Sequence, residues 1–316
     1  MATHDFLLPV PDLSAVRAGN TGVEGVWHFD SGTPGRHAMV TSLVHGNELC
    51  GAWAVKTALE AGLRPRRGKL TLAFCNLAAF DTFDPARHDA SRYLDEDLNR
   101  VWSDDKLAAP TTRERMRASA LLPWVRQADW LLDLHSMHEP CAPLLLTGMQ
   151  PRNLDLAREL GTPRHVIVDA GHKDGVRMRD YGRFGQMADN GTRSLLIECG
   201  YHGAPESRTV ALDQVGRFLR ASGIVDEGDI PAKWIAPAPD AQQAIEVTQP
   251  VIARSMDFRF AQPWQGLEEL ERAGTVIGWQ DGEPVTTPYD HCTLVMPSLR
   301  QLVPGVTVVR LARRVA

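Results

Sequence analysis

The sequence predicts an α/β domain followed by a small all-β domain, and three observations support this. From residue 36 to about residue 225, apolar runs of strand length alternate with longer helix-like segments. Residues 231–243 then contain three prolines among alanines and polar residues, which is typical of a semi-rigid linker. After them, short β-type runs are separated by glycine and proline turns. We therefore expect an α/β domain at residues 1–230, a linker at 231–243 and a β domain at 244–316.

The predicted strands of the α/β domain are apolar throughout, as expected when helices cover both faces of a sheet. They are 38–44, 69–77, 130–134, 144–147, 165–168 and 194–197. Helices are predicted at 49–63, 111–128, 153–160 and 207–221, the second bent or restarted near Pro123 because proline cannot donate within a helix. The β domain is predicted to contain strands at 245–254, 275–279, 292–296 and 306–311.

Composition and charge exclude several classes of protein. Hydrophobic residues make up 43% and charged residues 23% of the chain, as in ordinary soluble domains. No apolar run is long enough to cross a bilayer and no secretory signal is visible, so we expect no membrane association and a cytoplasmic location. The net charge of -5, without a sustained run of arginines, predicts no nucleic-acid partner. The five cysteines are widely scattered, which favours reduced thiols.

The segment His45-Gly46-Asn47-Glu48 places a histidine and a carboxylate three residues apart, a spacing that can grip one metal ion. The apolar run before it predicts a buried strand, and the residues from Leu49 onward predict a helix. We therefore expect His45 at the strand end and Glu48 in the first helical turn, with Gly46 allowing a sharp bend. Taken alone, the pair also fits a surface histidine or a buried structural one.

The third candidate ligand is His135, which follows Asp133-Leu134 at the C-terminal end of an apolar run. Open α/β sheets form their sites at the carboxyl ends of strands, and both histidines are expected there. Two histidines and one glutamate leave a fourth zinc position open for water, as in catalytic rather than structural sites. The alternative is that His135 caps the strand and bonds locally.

Glu198 follows the apolar run 195–197, so an ionisable side chain is expected at the end of a buried strand. Burying a carboxylate without a partner is costly, which argues against a chance placement. A carboxylate near the attacking water can serve as general base and can pass the proton to the leaving nitrogen of an amide. The alternative is a structural ion pair with an arginine such as Arg193.

The segment from Arg92 to Arg100 lies in a long loop after the second predicted strand. Its charge alone is compatible with a solvated surface segment. Arginine also meets two needs of amide hydrolysis, because one guanidinium can stabilise the developing oxyanion and another can hold a substrate carboxylate in a two-pronged hydrogen bond. Lysine cannot reproduce that fork.

The chain resembles the succinylglutamate desuccinylase and aspartoacylase family, relatives of the zinc carboxypeptidases. The resemblance rests on four motifs in the family's order over roughly residues 36–200: His45-Gly46-Asn47-Glu48, Arg92-Tyr93 leading to Asp97-Leu98-Asn99-Arg100, Asp133-Leu134-His135, and Ile197-Glu198-Cys199-Gly200. It implies a zinc-carboxypeptidase-like fold, namely a three-layer αβα domain with a mixed sheet plus a small C-terminal all-β domain.

The same resemblance implies roles for the site residues. It implies one Zn²⁺ per chain, held by His45, Glu48 and His135 in the α/β domain, which would then be the catalytic domain. Glu198 would be the base and proton shuttle. Arg92 would polarise the scissile carbonyl, and Asn99 with Arg100 would bind a substrate carboxylate.

Two substrate-binding positions do not transfer cleanly. Members resembling aspartoacylase carry another arginine shortly before the catalytic glutamate, and the equivalent position here falls near Ala188. Four arginines could take the place of the missing one, and spacing does not distinguish between them: Arg177, Arg179, Arg183 and Arg193. We select Arg179. A tyrosine from the β domain contributes to some family sites, and Tyr289 is the candidate here.

The leading hypothesis is a zinc-dependent amide hydrolase that removes an acyl group from an N-acyl amino acid or a related small carboxylate. A zinc carboxypeptidase acting on peptides is the nearest alternative, because the same ligands serve both. A lipoyl or biotinyl carrier, suggested by residues 274–278, requires a lysine, and no lysine follows Lys233. A catalytically silent metal-binding homologue is a further alternative, and the sequence leaves homo-oligomer formation open.

Overall fold

The computed structural model describes residues 4–171 and 175–315. The α-helices are α1 (Leu49–Glu60), α2 (Leu77–Phe80), α3 (Asp104–Ala108), α4 (Arg113–Gln127), α5 (Pro151–Leu160) and α6 (Glu206–Ser222). The strands are β1 (Val26–Asp30), β2 (His37–Ser42), β3 (Lys69–Phe74), β4 (Trp130–Met137), β5 (Leu144–Leu146), β6 (His165–Val168), β7 (Arg193–Tyr201), β8 (Gln243–Ile252), β9 (Phe258–Phe260), β10 (Glu269–Leu270), β11 (Val276–Gln280), β12 (Glu283–Thr286), β13 (Cys292–Val295) and β14 (Thr307–Arg314). None of the described helices is both long and apolar enough to cross a membrane.

Among the described residues, eleven strands form one mixed sheet in the order β1-β3-β2-β4-β7-β5-β6-β8-β14-β13-β10. Strands β3, β2, β4 and β7 are parallel, and β5 reverses the direction by pairing antiparallel with β7. Strands β5, β6 and β8 are parallel to one another, and β14, β13 and β10 continue the sheet in antiparallel fashion. Strands β12, β11 and β9 form a separate antiparallel sheet. The predicted fold class, an α/β protein with a mixed sheet, is confirmed.

Helices cover both faces of the parallel part of the sheet and so produce three layers. On one face, α1 and α6 pack against alternate strand residues such as Val40, Leu132 and Ile197. On the other face, α4 packs against Met39 and Leu131. The strands are apolar on both faces because both are covered by helices.

The topology brings the carboxyl ends of β2, β4 and β7 together at one edge of the sheet. His135 in β4 lies directly opposite Glu198 in β7. Because side chains alternate along a strand, His135 shares a face with Leu131, on the side of the sheet that α4 covers. The site is therefore built on this face, beyond the end of the helical layer.

Most predicted elements differ from the structure in their bounds or their continuity, and three of them illustrate this. Strand β2 ends at Ser42 rather than residue 44, because Leu43 takes a left-handed backbone conformation with φ of 51°. Strand β4 continues to Met137 rather than ending at residue 134. Helix α4 runs through Pro123 as one element.

The C-terminal region is rich in β-strands, as predicted, but its hydrogen bonds continue the main sheet. Residues Gln243–Glu246 of β8 pair in parallel with His165–Val168 of β6. Trp234, in the expected linker, is buried against the core. The division into residues 1–230 and 244–316 therefore stays a prediction.

Candidate metal and active site

The side chains of His45, Glu48 and His135 converge at the carboxyl edge of the sheet. Glu48 Oε1 lies 2.8 Å from His45 Nδ1, and Glu48 Oε2 lies 2.8 Å from His135 Nδ1. Their candidate ligand atoms all lie within 4.8 Å of one another, and all three residues are buried. The structure thus brings the three predicted metal ligands together.

The turn between β2 and α1 positions two of these ligands. His45 lies in this turn rather than on the strand end, and Glu48 is the residue that precedes α1 rather than part of its first turn. Gly46 serves close packing and not an unusual φ, because a Cβ here would collide with the Ser91 carbonyl oxygen and lie 2.5 Å from Phe80 N. The Gly46 amide donates to the Arg92 carbonyl oxygen at 3.0 Å, which ties the loop of residues 92–100, here called the arginine loop, to the turn that carries His45 and Glu48.

Two further carboxylates lie beside the imidazoles. Asp97 Oδ1 lies 2.9 Å from His45 Nε2, and Asp133 Oδ2 lies 2.8 Å from His135 Nε2. Asp133 is itself held by the Thr41 hydroxyl, which donates to its Oδ1 at 2.7 Å. Both rings therefore direct Nδ1 toward Glu48, the arrangement in which zinc proteins hold histidine ligands.

No role of these two carboxylates was predicted from the sequence. Asp133 carried a local signal, because it lies two residues before His135 on one strand and shares its face. Asp97 carried no local signal of this kind, because it contacts His45 only once the loop is folded.

The charged groups of this cluster shift one another's pKa values. Although burial opposes ionisation, the adjacent His45 and His135 keep the pKa of Glu48 well below its ordinary value. Burial likewise opposes protonation of His135, but Asp133 and Glu48 raise its pKa well above the ordinary value. Two imidazoles and a carboxylate aimed at one point, each imidazole backed by a second carboxylate, form a donor set that fits a divalent zinc ion.

Glu198 lies beside this cluster in the interior of β7 and is 7% exposed. Burial, followed by the nearby charge of Glu48, raises the pKa of Glu198 to about 8. Its Oε2 atom has no hydrogen-bond partner among the described residues. Arg193 pairs with Asp189 at 2.9 Å, so the structural ion pair considered as the alternative for Glu198 is not formed.

Arg92 also faces the cluster. Its Nη1 atom lies 3.2 Å from Glu48 Oε1, and its Nη2 atom lies 3.0 Å from Asp97 Oδ2. Asn99 is buried, and its Oδ1 accepts a hydrogen bond from the Met178 amide at 2.9 Å. The Asn99 amide nitrogen is 3.5 Å from His135 Nε2, so this side chain links the arginine loop to the cluster of His45, Glu48 and His135.

A cavity of about 400 Å³ opens beside the cluster. The predicted residues that line it are His45, Glu48, Arg92, Asn99, Arg100, His135 and Glu198. Two buried arginines that sequence analysis did not select also line it, namely Arg177 and Arg310. Arg177 was among the open alternatives, whereas Arg310 carried no sequence signal.

The structure does not bring Arg179 or Tyr289 to this cavity. Arg179 is fully buried, and its Nη1 donates to the Leu146 carbonyl oxygen at 3.3 Å. The Tyr289 hydroxyl lies 2.6 Å from Thr248 Oγ1, and its ring packs in the core beside the separate β-sheet. Their role as substrate-binding residues therefore stays a prediction, and neither residue lines this cavity.

Comparison with known proteins gives a family match over part of the chain. The profile of the succinylglutamate desuccinylase/aspartoacylase catalytic domain matches residues 34–188. This match includes the metal cluster and the arginine loop but ends before Glu198. A sequence search of curated proteins finds no match.

Solved structures share the fold at low identity. Succinylglutamate desuccinylase from Vibrio parahaemolyticus is 15% identical, with a TM-score of 0.66, 93% of this chain covered and 87% of that one. A succinylglutamate desuccinylase/aspartoacylase from Rhodobacter sphaeroides is 19% identical, with a TM-score of 0.65 and coverage of 93% and 90%. The product-bound ectoine utilization protein EutE (DoeB) from Ruegeria pomeroyi is 14% identical, with a TM-score of 0.63 and coverage of 99% and 100%. Residues 34–188 thus match the catalytic domain of the succinylglutamate desuccinylase/aspartoacylase family, and solved structures that carry these names share the fold of the chain.

Proposed function

We propose that this chain is a zinc-dependent hydrolase that cleaves the amide bond of an N-acyl amino acid or a related small carboxylate. One observation carries the proposal. A histidine-glutamate-histidine cluster shares a cavity with a buried carboxylate, Glu198, one of whose oxygens has no partner among the described residues. A metal site with a purely structural role would need neither the adjoining cavity nor the Glu198 carboxylate.

His45, Glu48 and His135 would hold one zinc ion per chain. Three protein ligands leave one coordination position open, which distinguishes catalytic zinc sites from structural ones. Zinc bound there would supply Lewis acidity toward water and toward the carbonyl oxygen of the substrate. Asp97 and Asp133 would keep both imidazoles in the orientation that this requires.

Glu198 moves the proton in this proposal. Its ionised carboxylate accepts a proton from the attacking water, and the protonated form then delivers that proton to the leaving nitrogen. In the metal-free chain burial raises the pKa of Glu198 to about 8, and zinc bound nearby would lower this pKa, so that the carboxylate could both take and release a proton near neutral pH. The Arg92 guanidinium stabilises the charge that develops on the carbonyl oxygen, and Asn99 with Arg100 receives a substrate carboxylate.

The walls of the cavity favour small substrates over peptides. Residues from the C-terminal region also line it, including Met296, Val303 and Val306. A long peptide would have to pass these side chains to reach Glu198. This favours the acyl amino acid hypothesis over a carboxypeptidase.

Replacement of Glu198 by Gln tests the proposal, and Glu246→Gln on β8, a residue that does not line the cavity, is the matched control. Zinc-loaded proteins are assayed against a panel of N-acyl amino acids and a panel of dipeptides. We expect Glu198→Gln to retain zinc and lose about a hundred- to ten-thousandfold in turnover, as removal of a general base predicts. Near-normal rates in this variant would refute the role of Glu198. Zinc binding without turnover in the wild type would favour the catalytically silent homologue.

A further inference from the structure

Glu114 is a buried carboxylate in the first turn of α4, and the proposed mechanism does not use it. The residue is 0% exposed. Its Oε1 accepts a hydrogen bond from the Leu94 amide at 2.8 Å. Its Oε2 accepts from the Asp95 amide at 3.0 Å and from the Glu96 amide at 3.3 Å. Three consecutive backbone donors of the arginine loop therefore share one carboxylate.

The surroundings of Glu114 fix this carboxylate relative to the main sheet. Ala118 of α4 is buried in the same apolar cluster as Leu131 of β4, the strand that also carries His135. Asn76, two residues after β3, donates from Nδ2 to Glu114 Oε1 at 3.2 Å. The sheet that carries the candidate metal site thus holds the carboxylate to which the arginine loop is bound.

Neighbouring residues of α4 bind the side chains of the same loop segment. The Arg113 amide donates to Asp95 Oδ2 at 2.8 Å, and Arg115 Nε donates to Glu96 Oε1 at 2.7 Å. The side chains of both ion pairs, Arg113–Asp95 and Arg115–Glu96, are partly exposed, and exposed ion pairs contribute little. The fully buried Glu114 is therefore the principal contact between α4 and the loop.

The segment that α4 holds, residues 94–96, lies between two residues that face the candidate metal site. Arg92 precedes it, and the Nη1 atom of this arginine lies 3.2 Å from Glu48 Oε1. Asp97 follows it directly and has its Oδ1 2.9 Å from His45 Nε2. A displacement of the segment would therefore move the guanidinium proposed to stabilise the oxyanion and the carboxylate that lies against a candidate zinc ligand.

We propose that Glu114 is a positioning residue of the active site, which holds residues 94–96 so that Arg92 and Asp97 keep their places beside the candidate zinc ligands. This inference rests on the proposed amide hydrolysis. Hydrogen bonds are directional, so a carboxylate that accepts three consecutive amides fixes the orientation of the loop as well as its position. Misplacement of a group in an active site by about 1 Å can cost about a hundredfold in rate.

Glu114→Gln is the central variant, and Asp213→Asn is its matched control. Glutamine has nearly the same shape as glutamate but replaces one acceptor oxygen by an NH2 donor. Both oxygens of Glu114 accept N–H donors, so either orientation of the glutamine amide places a donor against a donor. Asp213 on α6 is also a buried helix carboxylate that accepts a backbone amide, from Ala236 at 2.9 Å, and it does not line the cavity.

Hydrogen exchange of the zinc-free proteins, followed by mass spectrometry, reports on the loop directly. We expect peptides that cover residues 92–97 to exchange about tenfold faster in Glu114→Gln, because backbone amides lose their acceptor, while β4 keeps its wild-type rates. Asp213→Asn should leave exchange of the loop unchanged. Competition with a chelator should show that Glu114→Gln binds zinc about tenfold more weakly, since Asp97 no longer supports His45.

Kinetics at saturating zinc test whether Glu114 acts through the arginine loop. Glu114→Gln should reduce kcat/KM for N-acyl amino acids by about ten- to hundredfold, whereas Asp213→Asn should retain the wild-type value within about twofold. The loss should be much smaller when Glu114→Gln is introduced into an Arg92→Lys background. Two changes that disturb one interaction are not additive, whereas independent structural effects are.

Unchanged exchange of residues 92–97 in Glu114→Gln would overturn the inference, and so would equal acceleration in β4, which reflects general destabilisation. Losses of kcat/KM that multiply fully between Glu114→Gln and Arg92→Lys would also overturn it. If the wild type hydrolyses no substrate, the hydrolase proposal fails, while faster loop exchange with weaker zinc binding still supports the positioning role. Where thermal unfolding shows that Glu114→Gln is not folded, Glu114→Asp replaces it under the same expectations, because aspartate withdraws both acceptor oxygens by one methylene.

Discussion

Replacement of Glu198 by Gln should stabilise the zinc-free protein against unfolding, although it removes activity. Burial raises the pKa of Glu198 from an ordinary value of 4.5 to about 8 in the folded chain. Between these values the unfolded chain has an ionised carboxylate, whereas the folded chain must keep a proton on it. Each pH unit in this interval costs about 1.4 kcal/mol of folding free energy, so the cost reaches about 3 kcal/mol at pH 7.

The sign of the pH dependence follows from the raised pKa. The stability associated with protonated Glu198 is fully present below pH 4.5 and is lost as the pH rises toward 8. Glutamine does not titrate, so the variant escapes this loss. Its advantage should be near zero at pH 4.5 and should grow up to about pH 8.

Urea unfolding in the presence of a chelator measures this difference at several pH values. Glu283→Gln, on the exposed strand β12, serves as a control for the removal of one carboxylate charge. Added zinc should reduce the difference in the free energy of unfolding between the variant and the wild type, because a cation beside Glu198 favours the ionised carboxylate. A difference that does not change with pH, or a variant less stable than the wild type at pH 7, would contradict the reasoning.

Three further predictions concern the metal cluster, the arginine loop and a buried histidine. His135→Ala should lower the zinc content measured by atomic absorption, and an unchanged content would count against the ligand set. Gly46→Ala should displace the Arg92 backbone and reduce kcat/KM by about a hundredfold, whereas Gly228→Ala, with no atom within 4 Å of the added Cβ, should not. Burial lowers the pKa of His37 from 6.5 to about 4, so the wild type should lose about 3 kcal/mol of stability as the pH falls through this interval. His37→Gln should remove that loss when the free energy of unfolding is measured in urea at several pH values. If the variant loses stability with falling pH as the wild type does, His37 is not the cause.

Strands with a strong apolar pattern are predictable from the sequence, and weakly apolar ones are not. Strand β6 has the predicted bounds, His165–Val168. Strand β12, by contrast, is largely exposed and was missed, because it exists through its pairing with β11 and not through an apolar pattern of its own. The end of β2 was misplaced for a related reason, since the left-handed conformation of Leu43 is imposed by the surrounding turn.

Local sequence patterns also could not decide between Arg177 and Arg179 as the residue that lines the cavity. The two residues lie in an irregular segment, where spacing carries no information on the direction of a side chain. A bridge between Val101 and Val176 joins this segment to the arginine loop, and Arg177 faces the cavity. The contact is long-range, so no local pattern predicts it.

The sequence by itself determined the α/β class and the chemistry of the candidate ligands, because apolar periodicity and residue type are local properties. Only the tertiary structure decided that Asp97 lies against His45 and that Arg310, from the last strand, lines the same cavity as Glu198. Those contacts depend on strand order and register. These are set by the packing of the whole chain, since each strand finds its neighbours only when the complete sheet is assembled.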